Sequence, residues 1–84
     1  MNVELEKFPS GWVGLSIGLG DAEIDQLISL LDELKSGEIS HFHFRNDDFS
    51  PVEGVVDIEV TTIGAEKRNN MTIDASKEIW SDDN

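Results

Sequence analysis

Both histidines of this 84-residue chain lie in one short run, His41-Phe42-His43-Phe44-Arg45. In a strand, strict alternation puts Phe42 and Phe44 on one face and His41, His43 and Arg45 on the other. Three kinds of chemistry fit such a face. His-x-His on a strand sets two imidazoles about 6–7 Å apart at the backbone. They can converge on one ion, with Asp57 or Glu59 completing a His₂-carboxylate set suited to Zn, Mn or non-haem Fe. The same imidazole and carboxylate can serve general acid–base catalysis. The third reading is a polar sheet face with no site at all. If residues 38–45 and 55–63 form a hairpin, His41, His43 and Arg45 stand opposite Asp57 and Glu59, and each cross-strand pair contributes about 0.2–1 kcal/mol.

The supporting parts decide among these. No third metal ligand is fixed by spacing, so neither a metal nor another cofactor is expected. No nucleophile elbow, phosphate loop or nucleotide fingerprint occurs, and Gly14, Gly18 and Gly20 lie in an alternating segment and its exit without the required pattern. An open sheet face also lacks the enclosure that small-molecule chemistry needs. The chain therefore reads as a binding protein and not as an enzyme.

Six basic residues against eighteen acidic ones leave a net charge of −12. Such a field repels nucleic acid and anionic lipid and speeds encounter with a basic protein. Part of the acid follows the helix: Asp21, Asp25 and Asp32 share one flank, with Glu33 nearby. Asp47, Asp48, Asp82 and Asp83 add more. A solvated face looks like this, and so does a recognition stripe for a cationic partner. Cysteine is absent, which excludes disulfides and thiolate metal sites and fits a cytoplasmic protein. Residues 1–9 lack the apolar core of a signal peptide, and no apolar run reaches membrane-spanning length.

The elements that must position these groups are legible in the periodicity. Val3, Leu5 and Lys7 suggest a short edge strand, and Pro9-Ser10-Gly11 a turn. Residues 12–19 alternate, with Val13, Leu15, Ile17 and Leu19 on one side. Trp12, Gly14, Ser16 and Gly18 lie on the other, a face nearly bare of side chains. Asp21 is the expected N-cap of a helix over Asp21 to Ser36, closed by Gly37. Ile24, Leu27, Ile28, Leu31 and Leu34 form its core stripe, with Leu30 on the flank. Strands follow over residues 38–45 and 55–63, separated by a polar loop containing Phe49 and Val52. Residues 71–73 suggest a fifth strand. Ile79 and Trp80 are expected to clamp the end of the chain, and residues 81–84 to fray.

The expected fold is α+β over one domain, residues 1–84. It is a two-layer sandwich, β-β-α-β-β, with a four- to five-stranded antiparallel sheet and the amphipathic helix on one face. The uncovered face then carries Trp12 together with His41, His43, Arg45, Asp57 and Glu59. An exposed Trp beside polar groups is a preferred interface anchor.

Gly37 followed by His41-Phe42-His43-Phe44, after an amphipathic helix in a chain of this size, resembles the immunity protein 32 family of bacterial polymorphic toxin systems. The resemblance covers the middle third of the chain. That family is richer in Trp and Gly after the strand, whereas Arg45-Asn46-Asp47-Asp48-Phe49 follows here. The resemblance implies an inhibitor that binds a cognate toxin directly, without catalysis. The sequence therefore points to a small acidic immunity-type protein. Its expected contact residues are Trp12, His41, His43, Arg45, Asp57 and Glu59 with the Asp21, Asp25 and Asp32 flank. A metal-binding or catalytic domain, and a homodimer with uncovered sheet faces back to back, are the alternatives.

Overall fold

The elements run β1 (Asn2–Lys7), β2 (Val13–Gly18), α1 (Asp21–Ser36), β3 (His41–Arg45) and β4 (Asp57–Thr61). This is the α+β order that the alternation predicts. It comes from a computed structural model that describes residues 1–46, 54–64 and 66–75. Phe49, Val52, Ile79, Trp80, the acids at 47, 48, 82 and 83, and the expected fraying of 81–84 lie outside the described residues.

β1 and β2 form an antiparallel hairpin in which Val3 pairs with Ile17, Leu5 with Leu15 and Lys7 with Val13. Those residues share one face. Asn2, Glu4 and Glu6 share the other with Gly18, Ser16 and Gly14. The turn closes through Phe8 N–H donating to the Trp12 carbonyl at 2.9 Å and Gly11 N–H donating to the Phe8 carbonyl at 3.0 Å. Gly11 takes φ 94°, a left-handed conformation that suits glycine. The bare face at Gly14 has an occupant from its own hairpin. A Cβ there would meet the Phe8 ring at 3.3 Å.

The helix cap lies one residue before the expected one. Gly20 is the N-cap, and its N–H donates to Glu23 Oε1 at 3.0 Å. Asp21 instead lies in the first turn, where with Glu23 it favours the positive end of the helix dipole. Glu23 Oε2 also accepts from the N-terminal amine of Met1 at 2.7 Å, tying β1 to the helix start. At the far end Gly37 adopts φ 86°. Its N–H donates to the Leu34 carbonyl, and Glu38 N–H donates to the Glu33 carbonyl. This pair of bonds satisfies carbonyls the helix would otherwise leave open.

β3 and β4 pair antiparallel, with Phe42 opposite Val60 and Phe44 opposite Ile58 on one face. The Phe42 and Phe44 rings meet edge-on, with centroids 5.8 Å apart. Leu34 and Phe42, each 8 % exposed, are the buried apolar residues among those described. Leu27 and Leu30 of the helix line a recess with Leu19, His43, Phe44 and Arg45.

Two expectations change. The strands form two separate two-stranded sheets, β1–β2 and β3–β4, in place of one sheet of four to five. Each hairpin satisfies its own local ladder, and no described residue of one sheet pairs with the other. Residues 71–73 form no strand. Met71 and Ile73 stand exposed, and so short a run has few ladder bonds to offer.

The helix stripe is also divided. Leu27, Leu30 and Leu34 turn inward, whereas Ile24, Ile28 and Leu31 are exposed. The reason is width. Two strands about 4.8 Å apart cannot cover the whole apolar arc of a helix roughly 10 Å across. Val13, Leu15 and Ile17 of β2 likewise remain exposed.

Candidate functional site

The β3–β4 ladder supplies the site's geometry. Its register sets His41 opposite Thr61, His43 opposite Glu59 and Arg45 opposite Asp57. Bases and acids therefore meet across the strands, as the alternation predicts. Of the contacts themselves, Arg45–Asp57 runs straight across and His43–Asp57 runs on the diagonal. His43 Nδ1 lies 3.0 Å from Asp57 Oδ1 and 3.2 Å from Oδ2. Arg45 Nε donates to the same Oδ1 at 3.3 Å. Asp57 thus sits between an imidazole and a guanidinium, while Glu59, directly across from His43, stays exposed. The His43 side chain is half-buried beside the more open Asp57 and Arg45.

His41 extends the row. Its ring meets that of His43 edge-on, with centroids 5.1 Å apart. Its Nδ1 is 2.8 Å from Ser40 Oγ. Ser40 is a residue that the alternation alone does not single out: within the expected strand over 38–45 its parity sets it with Phe42 and Phe44, whereas the observed strand begins only at His41. The neighbouring Thr61 hydroxyl donates to the Ser40 carbonyl at 3.1 Å and pins the strand entrance.

This arrangement has a definite chemical character. A hydrolytic relay places one imidazole between a hydroxyl and a carboxylate, each on a different ring nitrogen. Here the hydroxyl of Ser40 and the carboxylate of Asp57 engage different rings, His41 and His43. Among the described residues, no group of three or more His, Asp or Glu side chains is arranged to hold a metal ion. The cluster holds β3 and β4 together through its own side chains.

The other expected contact residues lie elsewhere. Trp12 is at the tip of the β1–β2 hairpin, on a different sheet from the histidines, so the single shared face does not form. Its side chain is 78 % exposed. By parity it shares the hairpin face of Glu4 and Glu6. Asp21, Asp25 and Asp32 line one exposed flank of the helix, as their spacing requires. Glu23 is the acid that spacing alone does not set apart. Its signal is its place three residues after Gly20, from which it reaches back over the helix start. The Met1 amine is the main cause holding its carboxyl below the ordinary carboxylate value. The Gly20 N–H adds to the effect.

Comparison with protein-family models, curated proteins and solved structures returns no match. No helix among the described residues is long and apolar enough to cross a membrane.

Proposed function

We propose that this chain is a small acidic immunity- or inhibitor-type protein that binds a cognate basic toxin and neutralises it by occlusion, without catalysis. One observation carries this reading. Trp12 stands 78 % exposed at a hairpin tip in a chain of net charge −12, and continuing the β2 alternation by one residue puts it on the side of Glu4 and Glu6. A large aromatic with nothing to cover it is an anchor for a partner's pocket, and the surrounding acid selects a basic partner and speeds encounter. Anionic nucleic acid and lipid are repelled by the same field. Further contacts are assigned to His41, His43, Arg45, Asp57 and Glu59 on β3–β4 and to the acidic helix flank. The site of action would be the cytoplasm, where a toxin-producing cell must protect itself.

Co-expression with the toxin encoded beside it is the test. Cells should survive with the wild-type chain and lose protection with Trp12→Ala, which should dissociate faster from the toxin. Equal survival with and without this chain would end the immunity reading.

A further inference from the structure

Lys67 and Arg68 stand apart from the other described basic residues. Lys7 closes β1, Lys35 lies in the last turn of α1 and Arg45 closes β3, whereas Lys67 and Arg68 sit side by side after β4. Residues 66–75 form neither helix nor strand, and every one of them is exposed. The Lys67 N–H donates to the Gly64 carbonyl at 3.1 Å and closes a turn. Beyond it, residues 68–73 make no backbone hydrogen bond to another described residue. Met71 and Ile73 are 83 % and 97 % exposed, so neither large apolar side chain of this stretch is held by packing.

From this we infer that the Arg68–Asn69 peptide bond is a processing site, cut in the folded protein by an endopeptidase selective for basic side chains. Such an enzyme takes its substrate as an extended strand through main-chain hydrogen bonds, which a residue already in a helix or ladder does not have to offer. Its specificity pocket carries a carboxylate that receives Lys or Arg. Both demands are met at this pair. Glu66 chooses between the two bonds. It directly precedes Lys67, where its charge opposes the carboxylate of the pocket, and stands one residue further from Arg68. Hydrolysis adds water across the bond: the hydroxyl joins the Arg68 carbonyl carbon and the proton joins the Asn69 nitrogen. The described helix and strands all end by Thr61, so the cut separates residues 69–84 without opening a described ladder. The site requires no toxin, so its fate and that of the immunity reading are separate.

The experiment is a time course of the native full-length chain with a trace of trypsin, read by intact mass and circular dichroism. The first products should be residues 1–68 and 69–84. Cuts after Lys7, Lys35 and Arg45 should be slower by at least about tenfold, because each needs an element to open first. The helical signal should persist after the first cut. Lys67→Gln combined with Arg68→Gln should keep residues 1–76 whole for at least about ten times as long. Its circular dichroism should match wild type, since both side chains are exposed. A first cut at any other basic residue would overturn the inference. So would cutting at all of them at one rate, or loss of the helical signal with the first cut.

Discussion

Asp57 bonds His43, which is not its partner in the β3–β4 register; Glu59 holds the place opposite that ring. One carboxylate thereby serves both His43 and Arg45. Asp57→Ala should cost about 0.5–1.5 kcal/mol by urea unfolding, more than Glu59→Ala. A double-mutant cycle between His43→Ala and Asp57→Ala should give a coupling of about 0.2–1 kcal/mol that shrinks as salt rises. Equal costs at Asp57 and Glu59 would mean that the register, and not the diagonal, sets the pairing.

The two halves of the helix stripe should separate by mutation. Leu34→Ala removes a buried side chain and should cost about 2–5 kcal/mol. Ile28→Ala and Leu31→Ala should each cost less than about 1 kcal/mol. Similar losses at all three would return Ile28 and Leu31 to the core.

How far the sequence was legible turns on these same residues. Period-2 alternation located His41–Arg45 and Val13–Gly18 to within a few residues, because a strand's faces are written directly in its residue types. Gly37 marked the helix end because only a residue at ease with positive φ closes a helix this way. The alternation could say that Trp12 and His43 each face away from an apolar side. It could not say that the two sides belong to different sheets, since edge-to-edge joining depends on tertiary register and not on local pattern. Likewise the helical period shows that Ile24 and Leu27 are both on the apolar arc. How much of that arc is covered depends on the width of the sheet beneath it. Ser40 and Glu23 were silent for a further reason: their partners, His41 Nδ1 and the Met1 amine, are fixed by backbone geometry.

Gly37→Ala should destabilise by about 1–2 kcal/mol, because any Cβ resists φ 86°. Open space surrounds the position, so the cost is conformational and not steric. Asn, which tolerates that region, should recover part of the loss. Thermal unfolding of the three proteins checks the order Gly, Asn, Ala.

Glu23 sets a pH dependence. Its carboxyl is held below the ordinary value by the Met1 amine and the Gly20 N–H, so the folded state binds its proton less readily than the unfolded chain. The stabilisation is therefore complete above the unfolded value and is lost as pH falls through the folded one. In Glu23→Gln that increment should vanish. The difference in unfolding free energy between the two proteins should be constant near neutrality and narrow on acidification. A gap that widens on acidification would contradict the assigned contacts.

Trp12→Ala should change stability by less than about 0.5 kcal/mol, since so exposed a ring contributes little to its own fold. On the proposed function, the same substitution should remove most of the affinity for the toxin partner. A large loss of stability would show that the ring supports the hairpin and does not wait for a partner.

Among the described residues, two separate ladders also mean that each sheet has two outer strands, whose outward backbone donors and acceptors pair with no other described strand. Such edges invite pairing between molecules, and four of them are a heavy load for so small a chain. Mutual repulsion is the safeguard, with Glu4 and Glu6 on β1 and Asp57 and Glu59 on β4. Acidification into the carboxylate range would switch that guard off. The outer edges would then be freer to stack into intermolecular β-structure, so the acid proposed to steer a partner near neutrality would also hold copies of the chain apart.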